Sequence, residues 1–384
     1  RLSVFSGTFP LEAAEEVCGA ELDDLAALVD SSLLKPIGDD RFFMLETIGE
    51  YALEKLREGS EGEELRRRHA AFFAALAEQA YDSRFVAEAE WSARLESDHD
   101  DLRAALDWLS ENDSDRALEL AGALGWFWLS HGMLREGSGR LAAALAASGM
   151  TGRSRARALT ASGALVARAG EVAAGIAELD AAVAMWRELG DVDELASALD
   201  SLGWRLVYDA SDNTRGLEAF EQALELRREL GDAAGATRAL VGIAQVLVAM
   251  GETKRAEAIA HDLLDRAAGD ARTEHFAYHF LADCALIGGD SEQAGTRYRQ
   301  SLRAALPLGD VVETSFEVQG VAMSEAATGN PHRALVLAGS VEALWESLGV
   351  SFSIGFWNAL LEQYLAPARE LLGDEYDAVR AEGR

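Results

Sequence analysis

A pattern of small residues recurs along this chain with a period near forty. Gly125, Gly163, Gly203, Ala244, Ala282 and Ala322 stand 38, 40, 41, 38 and 40 residues apart. Twelve or thirteen residues after each comes a second small residue, at Gly137, Gly175, Gly216, Ala256, Ala294 and Ala334. Turn glycines keep the same phase at Gly132, Gly170, Gly251, Gly289 and Gly329. Self-similarity at such a period predicts stacked supersecondary units, each burying its apolar face against its neighbours.

Each unit reads as helix A, a tight turn, helix B and a connector. The connectors are Leu189-Gly190-Asp191, Leu230-Gly231-Asp232 and Leu308-Gly309-Asp310, with Gly269-Asp270 as a shorter form. Glycine after the last apolar residue ends a helix, and the aspartate N-caps the next. A small residue in mid-helix costs helix propensity, so its recurrence predicts close approach of helices A and B. That is the physical signature of tetratricopeptide-like repeats. HEAT-type pairs share a period near forty but lack the paired small positions. Six such repeats are expected over residues 117–350, with a longer turn in the third at Asp209-Ala210-Ser211-Asp212-Asn213-Thr214.

Composition agrees. Only five prolines and a hydrophobic content of 49% in 384 residues favour a large, almost wholly helical core. A net charge of −31 repels nucleic-acid phosphate, and no long basic stripe offsets it. No apolar run reaches membrane-spanning length. Cys18 and Cys284 lie far apart in sequence, which argues against a disulfide and fits a reducing cytoplasm. No phosphate loop, nucleophile elbow, His-Glu-x-x-His or Cys-x-x-Cys is found, so no catalysis, cofactor or metal is expected.

Ahead of the array, residues 11–17 read as a short helix after a turn at Phe9-Pro10, and residues 22–31 as a second helix. Two β-prone runs, 33–37 and 41–45, flank a turn at Gly38-Asp39-Asp40, and a helix over 47–57 follows. Helix, two-stranded wing and helix predict a winged-helix remnant over residues 1–57. A helical linker pair is expected over 58–116, as one helix over 61–81 and a second from about 85 to 109. Residues 351–384, with Phe352, Ile354, Phe356 and Trp357 at their start, read as a helical cap on the last repeat.

The string Leu28-Val29-Asp30-Ser31-Ser32-Leu33-Leu34 and the run from Arg41-Phe42-Phe43-Met44-Leu45 to Tyr51-Ala52 resemble the winged-helix part of bacterial STAND-class NTPases and LuxR-type transcriptional regulators. Arg68-His69-Ala70-Ala71-Phe72-Phe73, Trp91, and the stretch from His99-Asp100-Asp101 to Trp108 extend the resemblance. The usual family form has a basic residue where Gly49 stands and an asparagine where Asp101 stands. The resemblance implies a P-loop NTPase upstream, a winged helix that packs on it and transmits its state, and a helical-repeat sensor. A winged helix can also read DNA. The segment over 22–31, however, carries Asp23, Asp24 and Asp30 and no Lys or Arg, which makes it a poor groove reader and favours a structural joint. Arg66, Arg67 and Arg68 read as a solvated face paired with Glu61, Glu63 and Glu64 rather than a phosphate site. His99 lacks a convergent second ligand and reads as a cap or surface residue rather than a metal ligand.

Tetratricopeptide stacks form a right-handed superhelix whose concave side is lined by helix A. By the family pattern, groove positions lie three before, one after, and four to five after the first small residue. Among the residues so selected, Trp126, Arg168, Trp204, Tyr208, Gln245, His279, Asp283 and Met323 are the candidate ligand contacts. The same rule also selects Thr160, Asp200, Leu286 and Gln319. Aromatics with a few polar groups suit a peptide, a protein segment or a small amphipathic effector. Bulky residues such as Trp126 and Trp204 can equally pack between helices. The expected function is a non-catalytic sensor relaying effector binding to the upstream NTPase, without direct nucleic-acid or membrane binding. The alternative is a scaffold that holds a peptide without switching.

Overall fold

Glycine and aspartate set the boundaries of nearly every helix. The computed structural model describes residues 1–38, 40–209, 211–348 and 354–384. Asp39, Ala210 and Phe352, named in the expected turn, insertion and cap, and residues 349 and 350 at the end of the expected last repeat, lie outside the described residues. The chain divides into two compact units, Arg1–Gly190 and Asp191–Arg384.

The first unit opens with strand β1 (Phe9–Pro10), helices α1 (Leu11–Cys18) and α2 (Leu22–Asp30), strands β2 (Leu34–Ile37) and β3 (Arg41–Met44), and α3 (Glu46–Glu58). The expected two-stranded wing is a three-stranded antiparallel sheet in the order β1-β3-β2. Phe9 and Pro10, read from sequence as a turn, pair with Phe42 and Arg41. Proline is tolerated there because β1 is an edge strand. Phe9 is buried and stacks on Phe5 at 4.4 Å.

Helix α4 (Gly62–Asp82) is followed by α5 (Glu88–Ser97) and α6 (His99–Asn112). The single helix expected from 85 to 109 is therefore two, broken at Asp98. The cause is non-local: the buried Asp98 carboxylate is held by Arg41 at 2.6 Å and Arg94 at 2.6 Å. Arg66 and Arg67 pair with Glu63 and Glu64 on the surface, while Arg68 donates to the Glu16 carbonyl at 2.7 Å. His99 opens α6 with its ring edge-on to Phe127 at 5.5 Å, and burial lowers its pKa.

Two helix pairs complete this unit: α7 (Ser114–Ser130) with α8 (Leu134–Ala147), and α9 (Arg153–Arg168) with α10 (Val172–Leu189). The second unit carries four more. These are α11 (Val192–Tyr208) with α12 (Asn213–Glu229), α13 (Ala233–Ala249) with α14 (Thr253–Ala267), α15 (Ala271–Ile287) with α16 (Ser291–Ala305), and α17 (Val311–Ala327) with α18 (Pro331–Leu348). Helices α19 (Gly355–Leu372) and α20 (Tyr376–Glu382) close the chain. The fold is all-α and tetratricopeptide-like, with a small N-terminal sheet.

The small residues behave as their spacing requires. A Cβ on Gly163 would lie 2.6 Å from the Gly175 carbonyl and 2.8 Å from the Leu179 side chain, so α9 and α10 touch backbone to backbone. The connector glycines Gly190, Gly231 and Gly309 have φ of 69°, 69° and 73°, a conformation disfavoured with a Cβ. Asp191, Asp232, Asp270 and Asp310 each accept a hydrogen bond from a first-turn backbone N–H of the following helix.

Candidate functional site

In the second unit, Asp191 caps α11, and Trp204 and Tyr208, four residues apart, therefore share one face of it. Their rings stack with centroids 5.3 Å apart and planes 14° from parallel. Trp204 also meets the buried ring of Phe220 edge-on at 5.1 Å. Phe220 fits there because a Cβ on Gly203 would come within 2.8 Å of that ring. A position required for helix packing thus also props the aromatic pair.

The Tyr208 hydroxyl donates to Oε1 of Gln245 on α13 at 3.3 Å. Gln245 is buried, and its Nε2 has no hydrogen-bond partner. One helical turn before Trp204, Asp200 has a buried Oδ1 without a hydrogen bond. Burial pushes the Asp200 carboxyl up to about 7, against the opposing charges of Arg227 and Arg238. The α11–α13 face thus holds an aromatic platform, an unused amide donor and a carboxyl that titrates near neutrality.

A second cluster joins α15, α16, α17 and α19. His279 Nδ1 lies 2.7 Å from Glu317 Oε1, and its Nε2 lies 3.4 Å from Asp283 Oδ2. Burial alone would lower the His279 pKa, but the charges of Asp283 and Glu317 outweigh it and hold the ring up at about 10. Asp283 is fully buried and accepts a hydrogen bond of 2.6 Å from the Tyr298 hydroxyl. Burial pushes its pKa up to about 6, with the His279 charge and the Tyr298 hydrogen bond opposing. The buried Tyr298 hydroxyl is in turn raised well above its ordinary value, by burial and then by Asp283. Trp357 of α19 stacks on His279 at 5.7 Å and donates its indole N–H to Gln319 Oε1 at 2.7 Å.

The structure brings Trp204, Tyr208 and Gln245 together, and places His279 beside Asp283. Met323 is fully buried in an apolar cluster with Val321 and Ala322 and presents no surface to a ligand. Trp126 packs on the apolar core of the first unit, edge-on to Phe127 at 6.4 Å, with its indole nitrogen buried and unpaired. Arg168 is the exposed last residue of α9. Thr160 is engaged by the Trp186 indole at 3.1 Å. Glu317, Tyr298 and Trp357 were absent from the candidate contacts. His275, His279 and Asp283, each four apart, were a visible signal of one polar helix face. Nothing local indicated that Trp357 would reach it. Among the described residues no His/Cys/Asp/Glu group could hold a metal ion, and no helix is long and apolar enough to cross a membrane.

No family model matches the chain. A protein of Mycobacterium tuberculosis provisionally named an HTH-type transcriptional regulator is 33% identical over 261 residues, covering 60% of this chain and 28% of that protein. A Mycobacterium bovis protein with the same provisional name gives the same figures. The chain thus spans little more than a quarter of the length of these relatives. Among solved structures, a STAND protein with a tetratricopeptide repeat sensor from Pyrococcus horikoshii superposes with a TM-score of 0.56 at 15% identity, over 100% of this chain and 61% of that one. A Rap protein solved with Competence and Sporulation Factor gives 0.54 at 14% identity, over 80% and 93%. The apo form of the quorum sensor NprR from B. thuringiensis gives 0.53 at 12% identity, over 79% and 96%. At these identities the solved structures speak for the fold alone. The resemblance to STAND-type and HTH-type regulators is therefore met in sequence by the mycobacterial proteins and in fold by the Pyrococcus protein.

Proposed function

We propose that the chain is the sensor module of a bacterial signal-transduction regulator. It holds a peptide effector against the helix A faces of its repeats and relays occupancy through the winged helix to an upstream NTPase. In this reading residues 1–57 are the winged helix, 58–116 the linker pair, 117–350 the array and 351–384 the cap. The module itself is non-catalytic, needs no cofactor, and works in the cytoplasm without touching DNA or membrane.

The carrying observation is the stacked Trp204–Tyr208 pair beside Gln245, whose amide nitrogen is buried and unpaired. An apolar or aromatic peptide side chain would lie on the partly exposed rings, which Gln245 holds in place through its bond to the Tyr208 hydroxyl. Two neighbours in fold are described as a complex with Competence and Sporulation Factor and as a quorum sensor, which supports a peptide as the effector. Screening an immobilised random peptide library with the purified chain tests this. Enriched peptides should lose at least tenfold in affinity for Trp204→Ala and for Gln245→Ala, but not for Arg255→Ala on exposed α14. If α14 substitutions remove binding while Trp204 and Gln245 substitutions leave it intact, the site assignment fails.

The scaffold alternative predicts the same binding without a switch. In the intact regulator, an effector peptide should change the rate of nucleotide exchange if the module relays, and should leave it unchanged if the module only holds.

A further inference from the structure

Asp200 stands in the middle of α11 without a task in the fold. The other aspartates of this helix and its ends are committed. Asp191 caps the first turn, Asp193 is paired with Arg227, and Asp209, just past the last turn, takes Arg205 at 2.7 Å. Asp200 caps nothing. It is half-buried, its Oδ1 is buried without a hydrogen bond, and among the described residues it forms no ion pair. Aspartate is also a poor residue for a helix interior. A side chain that weakens its helix and gains no partner inside the fold is a candidate for contact with something outside it.

The charges around Asp200 balance without it. Arg227 of α12 is buried and bonded to Asp193, and lies 3.3 Å from Asp232, the cap of α13. Arg238 of α13 is 3.9 Å from the same Asp232. Two guanidiniums thus meet two carboxylates, and an ionised Asp200 leaves this corner with one negative charge in excess. Asp200, Trp204 and Tyr208 follow one another at four-residue intervals, so they share one face of α11, and all three are half-buried. The helical rise puts Asp200 and Trp204 about 6 Å apart along the axis. Alternate side chains of an extended peptide are spaced by about 6.6 Å. One peptide can therefore lay an apolar side chain on the rings and set a second side chain on the carboxylate. Arginine suits that second place. Its planar guanidinium can give a carboxylate two parallel hydrogen bonds, can rest against an indole, and keeps its charge across the working pH range.

We propose that the effector is a basic peptide, with an arginine that pairs with Asp200 and, two residues from it, an apolar or aromatic anchor that lies on Trp204 and Tyr208. This rests on the reading that α11 and α13 hold a peptide. An immobilised random peptide library, screened with the full chain, supplies the probes. Enriched sequences should carry arginine close to an apolar or aromatic residue, well above its frequency in the library. Replacing that arginine by citrulline keeps the shape and removes the charge. The change should weaken binding to wild type at least tenfold, and binding to Asp200→Asn less than twofold. A second readout needs no variant. Burial, opposed by Arg227 and Arg238, pushes the Asp200 carboxyl up to about 7, and it must ionise to pair with the ligand. Affinity of the arginine peptide should therefore rise about tenfold from pH 6 to pH 8, and that of the citrulline peptide should not. Binding that depends on Trp204 but loses equally with citrulline in both proteins would overturn the proposal and leave the peptide site standing. So would enriched sequences without a basic residue. Binding indifferent to Trp204→Ala, or no enrichment at all, would overturn the peptide site and this proposal with it.

Discussion

The imidazole Nε2 of His69 lies 2.9 Å from Oδ1 of Asp101, both side chains almost fully buried, and this pair ties α4 to α6. The same oxygen accepts the backbone N–H of Ser6 at 2.7 Å, which anchors the N-terminal segment to the linker helices. Removing Asp101 would leave the buried His69 Nε2 without its partner and take the acceptor from the Ser6 N–H. Asp101→Ala should destabilise the chain by about 2–4 kcal/mol in urea denaturation. Asp101→Asn, which keeps the shape and an acceptor, should cost less than half as much. If the alanine variant loses no more than the asparagine one, the pair is not what holds these elements together.

The glycines of the repeat divide into those that packing requires and those it does not. Gly163→Ala should destabilise by about 1–3 kcal/mol, because the new methyl meets the Gly175 carbonyl at 2.6 Å and neither backbone can yield cheaply. Gly139, in the middle of α8, would place a methyl in open space, with nothing within 4 Å. Gly139→Ala should therefore stabilise by about 0.5–1 kcal/mol through helix propensity. Thermal denaturation of the two variants reads both signs at once. A loss at both positions would show that open space around Gly139 does not govern the outcome.

What sequence made legible here was local. A connector such as Leu230-Gly231-Asp232 contains its own glycine for a left-handed turn and its own aspartate for the next cap, so its geometry needs no partner. Gly203 and Gly216 were equally legible, because a helix pair thirteen residues apart must bring its small faces together. The expected extra turn residue after Tyr208 is also present: four residues separate α11 from α12, and Ser211 takes a φ of 55°. What stayed hidden was decided over long distances. Asp98 breaks a helix because Arg41, 57 residues earlier, reaches it. Phe9 and Pro10 become a strand only because β3 offers an edge. Trp357 sits over His279, 78 residues away, and no period in the sequence marks that meeting.

Asp200 gives a pH dependence of definite sign. Its folded pKa is raised from 3.8 to about 7 by burial. Between those values the unfolded chain has released the proton that the folded chain retains, so this residue lowers stability as pH rises, fully so above about 7. Asp200→Asn removes that burden. The variant should match wild type near pH 4 and exceed it by about 1–3 kcal/mol at pH 8, since each tenfold change in proton affinity is worth about 1.4 kcal/mol before solvent screening of this partly exposed side chain. Urea midpoints at the two pH values measure the difference. A gain equal at both would show that carboxyl ionisation is not its source.

His279 should show its signature on the alkaline side. Its pKa is about 10 in the fold and near 6.5 without it; burial acts to lower the value, and Asp283 and Glu317 overcome that. The proton taken up on folding stabilises the structure fully below about 6.5, and that stability is lost as pH rises through about 10. His279→Gln keeps a polar group at the site but holds no proton, and leaves Asp283 and Glu317 without their cation. The variant should be less stable than wild type at pH 7, with the gap closing by about 2–3 kcal/mol on going to pH 9.5. Tyrosines, cysteines and lysines titrate in the same range in both proteins and largely cancel in the comparison. Unfolding curves at pH 7 and 9.5 provide the measurement. A gap that stays constant across that range would mean that His279 is not carrying the charge that Asp283 and Glu317 hold between them.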